Sequence, residues 1–193
     1  MTARPRLRGA FFDALYAREH DPWDFETSPY ERAKYDRTVA AIAHRRWGRA
    51  LEVGCSIGVL TAHLAEHCDE LCATDVAQAA VDAARARLCS TGHVSVRRAE
   101  FPEELPAGPW DLIVCSEVLY YLDRPTLGRA VDACAGALAP GGALVAVHWR
   151  HPTQRYPLRG DEVHVVLEER LGLRHSHAEA TDDYRLDRWE AAT

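Results

Sequence analysis

From Ala50 onward the apolar residues follow two alternating rhythms. Short apolar runs cover 50–53, 70–74, 93–98, 110–115 and 143–148. Between them, apolar positions recur every three or four residues. The first rhythm predicts strands and the second amphipathic helices. Helices are expected over 58–68, over 77–88, from Pro125 to a stop before Pro140-Gly141-Gly142, and over 161–171. Leu127, Ala130, Val131, Cys134 and Leu138 mark the buried stripe of the third. Pro140-Gly141-Gly142 reads as a turn of strong breakers. The 110–115 run is almost continuously apolar, as in a strand buried on both faces. After a loop over 149–160 and the last helix, two closing strands are expected at about 175–181 and 184–190.

The first 47 residues lack strand character. A short helix fits 9–18 and a loop fits 20–25. Ser28-Pro29-Tyr30-Glu31 carries helix-start chemistry, with a capping serine, proline at the first helical position and glutamate three residues after the serine. That helix should reach about Arg45. Strand–helix alternation implies a seven-stranded, mostly parallel sheet with helices on both faces. Ligands of such sheets sit at the carboxyl ends of the strands. Gly54, Asp75, Glu100, Ser116 and His148 should therefore gather on one rim.

The totals narrow the choice. At 193 residues the chain fits one α/β domain, 1–193, with a helical cap over 1–47 and a core over 48–193. A formal net charge of −6 argues against binding nucleic acid through phosphates. Arg4, Arg6 and Arg8 precede no long apolar run, so no secretory signal is read there. No stretch approaches a membrane span. Six cysteines without a C-x-x-C pair fit buried thiols in a reducing cytoplasm. His148, His151 and His164 match no ordinary zinc spacing, and no metal is expected.

The candidate chemistry starts at Glu52-Val53-Gly54-Cys55-Ser56-Ile57-Gly58, a strand, a turn and a helix start. G-x-G-x-x-G, the pyrophosphate fingerprint of a nicotinamide-binding reductase, is absent. E-x-G-x-x-x-G with the distal Asp75 resembles the class I S-adenosylmethionine (SAM) methyltransferases, and a Rossmann-like class I fold follows from that resemblance. Gly54 allows close backbone approach, and Gly58 lets the next helix start tight with free N–H groups. Glu52 can accept from the ammonium of the ligand and Asp75 from both ribose hydroxyls. Glu100 and the Phe101 N–H can read adenine, flanked by Phe101 or Val76. Many class I enzymes carry glycine where this chain has Ser56. That serine either crowds the ligand or bonds its carboxylate, which leaves a non-catalytic partner protein as a competing reading.

Asp21-Pro22-Trp23-Asp24-Phe25, Ser28-Pro29-Tyr30-Glu31-Arg32-Ala33-Lys34-Tyr35, the glycine turn, and Ser116-Glu117-Val118-Leu119-Tyr120-Tyr121-Leu122 together resemble the NodS-like methyltransferases over almost the entire chain. Serine in the glycine turn is the rule in that family. His148-Trp149-Arg150-His151-Pro152, with Gly160-Asp161-Glu162-Val163-His164, is similar to the methyltransferase half of proteins fused to PIG-L type de-N-acetylases. The resemblance implies SAM as cofactor, S-adenosylhomocysteine as product, N-methylation of a small amine such as an amino sugar, and a functional link to a de-N-acetylase. O-methylation of a small secondary metabolite is the alternative.

It further implies a helical lid over the cofactor, with Trp23, Arg32 and Tyr35 in contact, or with Trp23 and Tyr35 only packing the lid. Arg32 would pair with the methionyl carboxylate. Cys55, Ser116 and Val118 complete the expected cofactor set. Glu117, His148 and Tyr120 are the candidates to hold or take the proton of the acceptor.

Overall fold

The six helices and seven strands expected from the hydrophobic rhythm and the capping signals occur, with shifted ends. The computed structural model describes residues 4–193, so the first three residues of the expected cap lie outside the described ones. The chain divides into two units: Arg8–Glu100, and Phe101–Thr193 together with residues 4–7.

The first unit holds α1 (Gly9–Tyr16), α2 (Pro29–Ile42), β1 (Trp47–Val53), α3 (Val59–Ala65), β2 (Cys68–Asp75), α4 (Gln78–Arg87) and β3 (Val94–Arg98). β2 lies between β1 and β3 and is parallel to both. The start of α2 follows its sequence signal, since Ser28 Oγ accepts the Glu31 N–H at 3.3 Å. Its end comes three residues earlier than expected, and Trp47 is the reason. The indole Nε1 donates to Ile42 O at 3.0 Å, and the Arg45 guanidinium lies 3.8 Å over the ring. Burying that indole turns the chain out of the helix and begins β1 three residues early. α3 stops at Ala65 instead of Cys68, because His67 O already accepts the Trp47 N–H beside β1 at 2.9 Å.

The second unit holds β4 (Trp110–Ser116), α5 (Arg124–Ala137), β5 (Leu138–Trp149), α6 (Gly160–Arg170), β6 (Arg174–Ala180) and β7 (Tyr184–Glu190). Its strand order is β4-β5-β7-β6. β4 and β5 are parallel, and β7 is antiparallel to both β5 and β6. Leu112, Ile113, Val114 and Cys115 are fully buried, as the unbroken apolar run demands.

Pro140-Gly141-Gly142 is not the turn expected of it, because it lies inside β5. Trp110 is paired with Leu138 and Leu112 with Ala143, so the segment loops out of register. Its glycines find partners beyond β7: Gly141 N–H donates to Ala192 O and Ala191 N–H to Gly142 O, both at 2.8 Å. One short element was not expected, a single 3-10 turn over Leu119–Tyr121.

Residues 4–7 run along this second unit. Leu7 N–H donates to Tyr121 O at 2.8 Å. Arg6 Nη1 donates to Glu103 Oε1 at 2.7 Å and Arg4 Nη1 to Tyr156 O at 3.3 Å. No helix among the described residues is long and apolar enough to cross a membrane.

Candidate active site

In the first unit the site is built around the β1–α3 turn. Gly54, Ser56 and Gly58 have φ of 77°, 51° and 80°. Gly54 and Cys55 donate their N–H groups to Thr74 O, each at 2.8 Å, which ties the turn to β2. Asp75, at the end of β2, completes the tie. Its Oδ2 accepts Ser56 N–H and its Oδ1 accepts Ala77 N–H, both at 2.9 Å. Burial raises the Asp75 pKa, and the backbone donors Ala77, Ser56 and Val76 oppose that rise. An ionised carboxylate has about four acceptor positions, so two backbone bonds leave it capacity for a diol.

Glu52 is the most exceptional group here. It is 2% exposed, and its Oε2 has no hydrogen-bond partner. Burial pushes its pKa up to about 7; Thr61 lowers it and Asp75 adds to the rise. A buried carboxyl oxygen without a donor is costly unless something else supplies one.

The lid residues divide. Trp23 stacks on Phe25 at 5.5 Å, meets Tyr16 edge-on at 5.9 Å, and packs against the cluster of Tyr16, Ile57, Ala77 and Ala80. Tyr35 is buried near Phe25 and His63. Arg32 is exposed on α2 and has no ion pair among the described residues. Val76 is half-buried against Gly9 of α1, and Glu100 lies 3.6 Å from Arg8. Nothing in the hydrophobic pattern or the motifs pointed to Tyr16. Its hydroxyl lies 2.5 Å from Ser56 Oγ, so the serine in the glycine turn is bonded by α1. A tyrosine on a short helix forty residues away carries no signal that would pair it with that turn.

The second unit carries the acceptor candidates. Phe101, Ser116 and Val118 are half-buried. Glu117, just after β4, has φ of 56°, a conformation that non-glycine residues adopt at a cost. Its Oε2 accepts Tyr120 O–H at 2.6 Å and Trp149 N–H at 3.0 Å. Tyr120 is buried and stacks on Tyr156 at 4.9 Å, and burial pushes its phenol pKa up.

His148 is not placed as expected. It is 0% exposed, and both ring nitrogens are engaged. Nε2 accepts Leu119 N–H at 3.2 Å, and Nδ1 lies 3.1 Å from His164 Nε2. A general base needs an open lone pair within reach of the proton it takes, and His148 offers none. His151 pairs with Asp183 at 2.7 Å instead of joining the other two histidines. Among the described residues no group of three His, Cys, Asp or Glu is arranged to hold a metal ion.

The family model of Nodulation protein S (NodS) matches residues 14–156. The chain belongs to the NodS family. Nodulation protein S of Rhizobium tropici is 38% identical over 127 residues, 65% of this chain and 53% of that protein. The chain thus spans a little over half the length of that curated NodS relative. The structure of N-methyltransferase NodS from Bradyrhizobium japonicum WM9 with S-adenosyl-L-homocysteine is 29% identical. It covers 94% of this chain and 98% of that one, with a TM-score of 0.83. A Pseudomonas syringae structure assigned as a methyltransferase is 42% identical, covers 83% of this chain and 98% of that one, and has a TM-score of 0.75. The Rossmann-like class I fold expected from the motifs is therefore the fold of this NodS-family chain.

Its residues also suit the cofactor. The unpartnered Glu52 Oε2 suits an ammonium, and it lies at the end of β1 directly before a turn whose Gly54, Cys55, Ser56 and Gly58 N–H groups are held by Thr74 O, Asp75 Oδ2 and Cys55 O.

Proposed function

We propose that the protein is a SAM-dependent N-methyltransferase, working as one domain over 1–193, on the amine of a small molecule such as an amino sugar. The observation that carries the cofactor in this reading is the buried Glu52 carboxyl beside the Gly54–Gly58 turn, whose Oε2 has no hydrogen-bond partner. Family membership supports the same reaction.

Glu52 would hold the ammonium of the methionyl tail, the exposed Arg32 its carboxylate, and Asp75 the ribose diol. Glu100, Phe101 and Val76 would frame adenine, with Trp23 and Tyr35 covering the site. When bound, SAM supplies a methyl group on a sulfonium, open to in-line displacement. The protein's own contribution is mainly proximity and orientation, worth about 7–11 kcal/mol in well-aligned reactions.

The acceptor amine must be neutral to attack. Glu117 takes its proton, with the carboxylate held in one orientation by the Tyr120 hydroxyl and the Trp149 N–H. Amines of this kind are exposed by de-N-acetylation, so an enzyme of that class supplies the acceptor, in the cytoplasm.

The test is calorimetric titration with S-adenosylhomocysteine, with NAD in parallel, followed by turnover on paired amine and alcohol acceptors. Micromolar binding of the first, none of the second, and methylation of the amine are expected. Failure to bind S-adenosylhomocysteine would remove the enzyme reading, and turnover of the alcohol alone would make it an O-methyltransferase.

A further inference from the structure

Behind the acceptor candidates, the second unit contains a buried hydrogen-bonded chain that the proposed chemistry does not use. Leu119 N–H meets His148 Nε2 at 3.2 Å, His148 Nδ1 meets His164 Nε2 at 3.1 Å, and His164 Nδ1 meets Asp187 Oδ2 at 2.6 Å. His148 comes from β5, His164 from α6 and Asp187 from β7, and all three are 0% exposed. Asp187 also receives Arg185 Nε at 2.5 Å and lies 3.0 Å from His175 Nε2.

The two ends dictate the protons between them. A backbone N–H can only donate, so His148 Nε2 is bare and its proton sits on Nδ1. An ionised carboxylate can only accept, so His164 carries its proton on Nδ1 and presents a bare Nε2 to His148. Read from either end, the polarity is the same. Both rings are neutral, and each junction has one donor and one acceptor. Free imidazole prefers the opposite tautomer, so the one present here is imposed. A ligand histidine oriented by a carboxylate behind it obeys the same logic.

We propose that His164 and Asp187 are positioning residues, which fix the tautomer of His148 so that it accepts Leu119 N–H and holds the turn bearing Glu117 and Tyr120. The proposal rests on the reading that Glu117 serves the acceptor. Leu119 opens the 3-10 turn, so its N–H has no partner inside that turn. Glu117 two residues earlier is in a left-handed conformation that only its surroundings maintain. Three apolar side chains would fill the same space without any polar group to satisfy. What the histidines and the aspartate add is an acceptor aimed at Leu119.

The experiment uses the full chain with a chitosan oligosaccharide as acceptor. It compares wild type, His164→Leu and His164→Gln, with rates expressed per S-adenosylhomocysteine-binding site, and records 15N shifts of the histidine rings. The wild-type spectrum should show His148 and His164 protonated on Nδ1. Protonation on Nε2 overturns the proposal even if His164→Leu does not fold. In His164→Leu, His148 should move to the Nε2 proton and kcat should fall about ten- to a hundredfold. S-adenosylhomocysteine affinity should stay within about twofold, because a ligand of the turn around Gly54 draws on none of these three residues. In His164→Gln an acceptor for His148 Nδ1–H remains, and most of the rate should return. Unchanged kcat in His164→Leu, or equal losses in the two variants, overturns the proposal alone. An active wild type whose Glu117→Gln variant keeps full kcat removes the acceptor reading, and the proposal with it.

Discussion

Glu52 shows how one side chain links folding to ligand. Its pKa is about 7 in the folded chain against an ordinary 4.5. Between those values the native state holds a proton that the unfolded state has lost, so raising the pH through this window favours unfolding. The penalty is absent below about 4.5, complete above about 7, and amounts to about 3 kcal/mol. Glu52→Gln should therefore be about 3 kcal/mol more stable than wild type at pH 8 and equal to it near pH 4, read by urea unfolding at both values. Parallel pH dependence in the two proteins would show that Glu52 is not the source. An ammonium placed against Glu52 reverses the sign, since it favours the ionised form. S-adenosylhomocysteine should thus displace a proton from wild type near pH 6, seen as a binding heat that varies with buffer, and none from Glu52→Gln. The residue's place at the end of an apolar run was legible in the sequence. That its buried Oε2 has no donor was not, because the walls around it come from other elements.

At the scale of elements, sequence pattern served best where one rhythm ran unbroken. β4 and α5 fall within a residue or two of their expected starts. It failed where a distant partner decided the outcome. Trp47 ends α2 through a bond to Ile42, and Pro140-Gly141-Gly142 stays in β5 because residues 191 and 192 receive it. The β1–α3 connection offers a test of helix placement. Gly58 has φ of 80°, and a Cβ there would lie 3.0 Å from Ala84 Cβ and 3.2 Å from Ala84 Cα, in α4. Gly58→Ala combines a left-handed L-residue, costing about 1–2 kcal/mol, with a forced shift of α3 against α4. It should lower stability by at least that amount in urea and weaken S-adenosylhomocysteine. A stability loss with unaltered affinity would detach the helix contact from the ligand turn.

For the molecule as a whole, the fold class was legible because alternating strands and helices admit few arrangements. The tie between the β1–α3 turn and Asp75 was legible because both follow strand ends, and Asp75 Oδ2 accepts the Ser56 N–H of that turn. The buried His148–His164–Asp187 chain was not, since its members are separated by 16 and 23 residues and meet only through the packing of β5, α6 and β7. S-adenosylhomocysteine at ~100 times its dissociation constant should add about 2.7 kcal/mol of apparent stability. For a chain of this size that is a rise of roughly 5–10 °C in melting temperature. NAD at the same concentration should leave the melting temperature unchanged.

Residues 4–7 give the chain a peculiar order of assembly. Their bonds run to Glu103, Tyr121 and Tyr156, about 100 to 150 positions downstream. On the ribosome these four residues emerge ahead of the whole 8–100 unit, and every partner emerges after it. They must wait unpaired while the segment between them and their partners is completed. Early damage to this short stretch would then be felt last, in the fit of the loop around Tyr156 and not in the helices that follow it directly in sequence.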